Sequence, residues 1–123
     1  MNKHPLIMAV DDDRGMLTLL RRLLRLEGYR VATARDGRLA LALLDECRPD
    51  LILLDIMMPG LDGFQVLDLL RQCSDVPVIM LTAKCEAEYV HQAMVAGADD
   101  YVRKPFSTGE LIARIRAKLR RAS

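Results

Sequence analysis

This sequence is short of everything that would place it in a special class. Eighteen basic residues against seventeen acidic ones leave a net charge of +1. No overall field therefore holds nucleic acid or an anionic membrane, and either partner would need a local patch. Apolar runs stop at five or six residues, far below the roughly 20 needed to span a bilayer. The opening Met-Asn-Lys-His-Pro has no apolar core of the kind a signal peptide carries. The expectation is a soluble, cytoplasmic protein without a membrane partner. Cys47, Cys73 and Cys85 are odd in number and contain no Cys-x-x-Cys pair, which argues against a disulfide framework or a zinc site and for reduced thiols. No Gly-rich loop ends in Gly-Lys-Ser or Gly-Lys-Thr, so the phosphate cradle of an NTPase is missing.

What is there is an alternation of strand-like and helix-like segments, with no linker, repeat or low-complexity tract between them. At 123 residues the chain is one domain, long enough to bury a core unaided. Leu6 to Val10 is an apolar run ended by Asp11, Asp12 and Asp13, and Met16, Leu19, Leu20, Leu23 and Leu24 follow at helical spacing. Gly28 closes that helix. Arg30 to Ala34 reads as a short strand, and Leu39, Leu43 and Leu44 mark a helix leading to Pro49. Leu51 to Leu54 has four branched apolar residues without polar alternation, as a strand buried on both faces requires, and Asp55 closes it. Pro59 and Gly60 turn the chain, and Asp62 can cap a helix carrying Phe64, Val66, Leu67 and Leu70. Val76 to Leu81, with Pro77 near its start, is a fourth strand ending at Thr82. Val90, Ala93 and Met94 form a helix stopped by Gly97, Tyr101 and Val102 a short fifth strand, and Leu111, Ile112, Ile115 and Leu119 a last helix. Five βα units imply an α/β fold with a parallel sheet, helices on both faces and the flavodoxin-like strand order 2-1-3-4-5.

That topology gathers scattered residues at one edge. Asp11, Asp12, Asp55, Thr82 and Lys104 all fall at carboxyl ends of strands, where open α/β sheets bind ligands. A single strand-terminal Asp is ordinary; three of them about 5 Å apart repel by roughly 3 kcal/mol per pair at an effective dielectric of about 20. Lys104 supplies one compensating charge, and a metal would supply two more. With only hard oxygen donors on offer, Mg²⁺ suits the site better than zinc. Such a set would let Asp55 attack phosphorus in line, with Lys104 neutralising the equatorial oxygens and Thr82 donating a hydrogen bond to the product.

These residues resemble the receiver domains of two-component response regulators. The likeness covers essentially the whole chain, 1–123, through Val10-Asp11-Asp12, Leu54-Asp55-Ile-Met-Met-Pro59, Asp62-Gly63, Leu81-Thr82-Ala83 and Gly97-Ala-Asp-Asp-Tyr101-Val-Arg-Lys104-Pro105-Phe106. The resemblance implies that Asp55 accepts a phosphoryl group from a sensor histidine kinase. It implies Mg²⁺ on Asp12, Asp55 and the Met57 backbone carbonyl, with Asp11 supporting through water, Thr82 and Tyr101 as a switch pair, and a cis bond before Pro105. The protein would be a phosphoacceptor, not an enzyme acting on a separate substrate. A haloacid-dehalogenase-type phosphatase, which also uses a strand-terminal Asp, needs Asp-x-Asp; here the second position is Met57.

The closing segment looks like the subfamily whose receivers precede a winged-helix DNA-binding domain, so transcriptional output would run through a C-terminal domain absent here. A stand-alone receiver acting by protein contact and a phosphorylation-independent interaction module are the alternatives. Arg114, Arg116, Lys118, Arg120 and Arg121 have no interleaved aromatics, so a solvated or partner-facing helix side fits them better than a nucleic-acid patch. The subfamily also implies a phosphorylation-promoted homodimer through the fourth helix, fifth strand and fifth helix. Asp100 and Arg114 match one of its charge pairs, whereas Val90 and Val95 stand where charges are usual. Glu110 and Arg116 are then expected to lack their usual partners across that dimer face, with Val90 and Met94 offering an apolar contact instead.

Overall fold

The computed structural model describes residues 4–122. Its elements run β1 (Leu6–Val10), α1 (Arg14–Leu26), β2 (Arg30–Ala34), α2 (Gly37–Cys47), β3 (Leu51–Leu54), α3 (Gly63–Arg71), β4 (Val78–Thr82), α4 (Ala87–Val95), β5 (Asp100–Arg103) and α5 (Thr108–Ala122). The strands form one parallel sheet in the order β2-β1-β3-β4-β5.

Period-two alternation sorts the strand residues onto the two faces. Met8, Val10, Ile52, Leu54, Val78 and Met80 pack with Ala40, Val66, Leu67, Leu70 and Ala93 from α2, α3 and α4. Ile7, Ala9, Leu51, Leu53, Ile79 and Leu81 pack with Leu17, Leu20 and Leu24 of α1 and Leu111, Ile112 and Ile115 of α5. Burial on both sides explains why β1, β3 and β4 read as continuous apolar runs.

Short acidic side chains start the first three helices. Asp13 accepts from the Gly15 and Met16 amides at 2.8 and 3.2 Å, and Asp36 from the Leu39 amide at 2.8 Å. Asp62 and Gln65 form a reciprocal capping box at 2.9 Å each way. α4 differs: Glu86 precedes it and gives no side-chain cap.

Two strands depart from the sequence expectation. β4 starts at Val78, not Val76, and includes Thr82. Val76 is outside the ladder because its amide is bonded to Ser74 Oγ and its carbonyl to Arg71. Pro77 has no N–H to give, but its carbonyl accepts from the Ile52 amide at 2.9 Å. β5 extends beyond Tyr101–Val102 to Asp100–Arg103, because polar residues at a sheet edge are tolerated in the ladder.

Candidate functional site: an acidic crevice at the sheet edge

Backbone pairing carries the side chains to one place. The Asp11 amide donates to the Ala34 carbonyl at 3.1 Å, the Asp55 amide to the Val10 carbonyl at 3.1 Å, and the Lys104 amide to the Thr82 carbonyl at 2.9 Å. Each residue just past a strand is thus registered on its neighbour. Asp11, Asp12 and Asp55 present carboxylate oxygens all within 4.8 Å of one another. Asp11 and Asp55 are buried, whereas Asp12 is exposed. The Lys104 ammonium donates to Asp11 and, at 3.2 Å, to Asp55. The peptide bond between Lys104 and Pro105 is cis.

One ammonium shared between two buried carboxylates leaves the crevice short of positive charge. Burial raises Asp11 above its ordinary value, outweighing the hydrogen bonds from Lys104 and the Asp13 amide, and the Asp55 charge adds to the rise. Burial alone would lower Lys104, but the Asp11 hydrogen bond and the Asp55 charge prevail and hold it raised. Hard carboxylate oxygens, no His or Cys in the cluster among the described residues, and surplus negative charge form a ligand set that fits a hard divalent cation.

The acceptor loop is closely built. The Met57 amide donates to Asp55 Oδ1 at 3.3 Å, while the Met57 side chain is 54% exposed. Gly63 donates its amide to the Ile56 carbonyl at 2.8 Å. A Cβ on Gly63 would run into the Asp55 carbonyl oxygen and lie 2.6 Å from Ile56 Cα. Only glycine admits this approach of α3 to the loop, a demand that the sequence shows merely as a turn residue.

Thr82 and Tyr101 are linked through a residue that no sequence pattern singles out. Thr82 is fully buried and its Oγ1 accepts from the Lys84 amide at 3.2 Å. The Tyr101 hydroxyl donates to the Lys84 carbonyl. Burial, reinforced by Cys85, Glu86 and Asp55, pushes the Tyr101 hydroxyl up to about 12, so it stays a donor across the physiological range.

On the α4–β5–α5 side, the charged side chains find partners within their own chain. Arg114 bonds Asp100 at 2.8 Å and Glu110 at 3.2 Å within the same chain. Arg116 bonds Glu27 at 2.8 Å. Asp100, Glu110, Arg114 and Arg116 therefore all have partners within their own chain. Met94 and Val95 are exposed and Val90 is half-buried, leaving an apolar strip on α4.

Comparison with known proteins agrees with this geometry. Residues 7–116 match the family model for the response regulator receiver domain. The chain is 49% identical over 115 residues to "DNA-binding response regulator MtrA" of Mycobacterium tuberculosis (strain H37Rv), covering 94% of this chain and 50% of that protein. It is 51% identical over 122 residues to "Transcriptional regulatory protein CpxR" of Escherichia coli (strain K12), covering 99% of this chain and 51% of that one. The chain thus spans about half the length of these curated relatives. Among solved structures, the Francisella response regulator 1452 receiver domain superposes with a TM-score of 0.92 at 36% identity, over 98% of this chain and 100% of that one. The Vibrio cholerae chemotaxis protein CheY4 superposes with a TM-score of 0.89 at 31% identity, over 94% and 98%. No helix among the described residues is long and apolar enough to cross a membrane. A family match over nearly the whole fold, on a chain whose sheet edge gathers three carboxylates and a lysine, means that this chain belongs to the response regulator receiver domains of two-component systems.

Proposed function

We propose that the chain relays a signal by accepting a phosphoryl group on Asp55 and converting the added charge into a change of its α4–β5–α5 face. The observation that carries the reading is the buried Asp55 carboxylate, flanked by two further acids and fixed beside the Lys104 ammonium. An Asp55 carboxylate oxygen attacks the donor phosphorus. The bond from phosphorus to the leaving group breaks, and an aspartyl phosphate forms. With a histidine kinase as donor, that leaving group is an imidazole. Lys104 shifts from pairing with carboxylate to pairing with phosphoryl oxygens, so its charge meets the growing negative charge without leaving the crevice. Asp12, Asp55 and the Met57 carbonyl would hold Mg²⁺, with Asp11 supporting through water; when bound, the ion supplies charge neutralisation for an anionic donor. The Thr82 hydroxyl has a proton left to give to the phosphoryl group while it still accepts from Lys84. Motion of Thr82 then reaches Tyr101 through the Lys84 carbonyl.

The direct test is intact-mass spectrometry after incubation with acetyl phosphate and Mg²⁺. One added phosphoryl group is expected, and no gain overturns the reading. The names of the relatives support an output on DNA carried by sequence outside this span, and the likeness of the closing segment to the winged-helix subfamily implies the kind of domain that would carry it.

Met57 bears on lifetime. Its apolar side chain, two residues past the acceptor, has no group to orient a hydrolytic water. Met57→Asn should shorten the aspartyl phosphate half-life on the order of tenfold, because an amide orients water but is a poor base. An unchanged half-life, followed by loss of the mass gain, would show that only the backbone at this position matters.

We infer further that phosphorylation promotes a symmetric dimer through α4, β5 and α5, held mainly by the apolar strip around Val90 and Met94. Asp100 and Arg114 already satisfy one another within a chain, and exposed pairs contribute only about 0–1 kcal/mol. Apolar contact is insensitive to screening. Sedimentation of the beryllofluoride-treated protein should therefore show a dimer whose dissociation constant changes little between low and high salt. A monomer throughout removes the dimer, and steep weakening with salt removes its apolar character.

A further inference from the structure

We propose that the ring pair Phe64–Tyr89 fastens the amino-terminal half of α4 to α3 and thereby forms a second link from the Asp55 loop to α4, alongside Thr82 and Tyr101. Tyr89 is then a positioning residue that acts through α4. The first ground is how little else holds this helix. α4 buries only Ala93, and its first turn has no side-chain cap. Its carboxyl end is better fixed, since the Ala98 amide donates to the Ala93 carbonyl at 3.0 Å and Arg71 donates to the Gly97 carbonyl at 2.9 Å. The amino end depends on what Tyr89 and Lys84 touch.

The Phe64 and Tyr89 rings are parallel to within 11° with centroids 6.2 Å apart, an offset stack in the favourable range. Phe64 is the residue after Gly63, and Gly63 is keyed to the Asp55–Ile56 backbone by its amide bond and by the absence of a side chain. A shift of that backbone displaces Phe64 directly, with no flexible segment between. Tyr89 meets the other link at Lys84. The Lys84 ammonium lies 5.8 Å from the Tyr89 ring centroid, its amide donates to Thr82, and its carbonyl accepts from Tyr101. Both links therefore meet at Lys84, in the loop that leads into α4.

The fastening can be tested on the resting protein, and the transmission rests on the phosphoacceptor reading. In amide hydrogen exchange of the unmodified chain, Tyr89→Leu and Phe64→Leu should each speed exchange of the α4 amides about tenfold while β1 and β3 are unchanged. The double variant should be no faster than either single one, and Tyr89→Phe should restore protection. Unchanged α4 exchange, or single effects that multiply, overturns the proposal. Beryllofluoride with Mg²⁺ should then shift the α4 amide resonances less in Tyr89→Leu than in the wild type, with equal phosphoryl mass gain from acetyl phosphate. A full α4 shift in the variant overturns the transmission. A wild type that neither gains mass nor responds overturns the phosphoacceptor reading, and the transmission with it, while the exchange result still decides the fastening.

Discussion

Asp55→Asn should gain no phosphoryl group from acetyl phosphate and Mg²⁺, while the wild type gains one. The amide keeps the shape of the carboxylate and has an oxygen for the Met57 amide, but it loses the anionic nucleophile that must attack phosphorus. Folding should survive. The crevice holds Asp11, Asp12 and Asp55 around one lysine, so removing one negative charge relieves repulsion instead of stranding a cation. Neither neighbour substitutes as acceptor in this reading. Asp11 is buried against Lys104 with its carboxyl raised by burial, and Asp12 is exposed, with the Lys104 ammonium paired to Asp11 and Asp55 instead. Intact mass with and without EDTA, beside a thermal melt, separates lost chemistry from lost fold. Labelling of Asp55→Asn equal to the wild type would defeat the assignment.

Much of this arrangement was legible because buried parallel strands announce themselves. Leu6–Val10, Arg30–Ala34 and Leu51–Leu54 occupy the spans their apolar or β-branched runs and flanking turns indicate. Topology then delivered Asp11, Asp55 and Lys104 to one edge, since each follows its strand directly. What stayed hidden depends on distance in space. The partner of Arg116 is Glu27, 89 residues away, and long exposed side chains choose partners by proximity after folding, not by spacing. The start of β4 is hidden because Val76 is as apolar as a strand residue, yet Arg71 claims its carbonyl. Arg71 also reaches Gly97, Ser74 and Asp99, tying the loops before β4 and β5 together, and nothing in its local pattern distinguishes it from any exposed arginine. The Phe64–Tyr89 stack was likewise invisible, because two aromatics among helical residues read as core.

The other large effect concerns Lys104, which neutralises the crevice of the unmodified chain. In EDTA at neutral pH, Lys104→Met should be destabilised by about 3 kcal/mol, the lower end of what removing one partner of a buried ion pair costs. Methionine replaces the stem but leaves Asp11 and Asp55 facing each other uncompensated. The direction with pH follows from the two groups. Burial pulls Lys104 down, but Asp11 and Asp55 raise it above 10.5, so its contribution is complete below that value and lost as the pH climbs through the folded one. Burial raises Asp11 above 3.8, so ionised Asp11 costs stability above its folded value, and that cost fades as the pH falls through it. Without Lys104 the second effect stands alone and enlarged. The variant should recover toward wild-type stability on acidification through the carboxylate range, and should lack the wild type's alkaline loss attributable to the lysine. Mg²⁺ should restore part of the difference at neutral pH, because the same oxygens can be neutralised by a hard cation. Denaturant melts from pH 4 to 11, with EDTA or Mg²⁺, decide it. Coincident curves for Lys104→Met and wild type in EDTA would show that solvent, not the lysine, balances the acidic crevice.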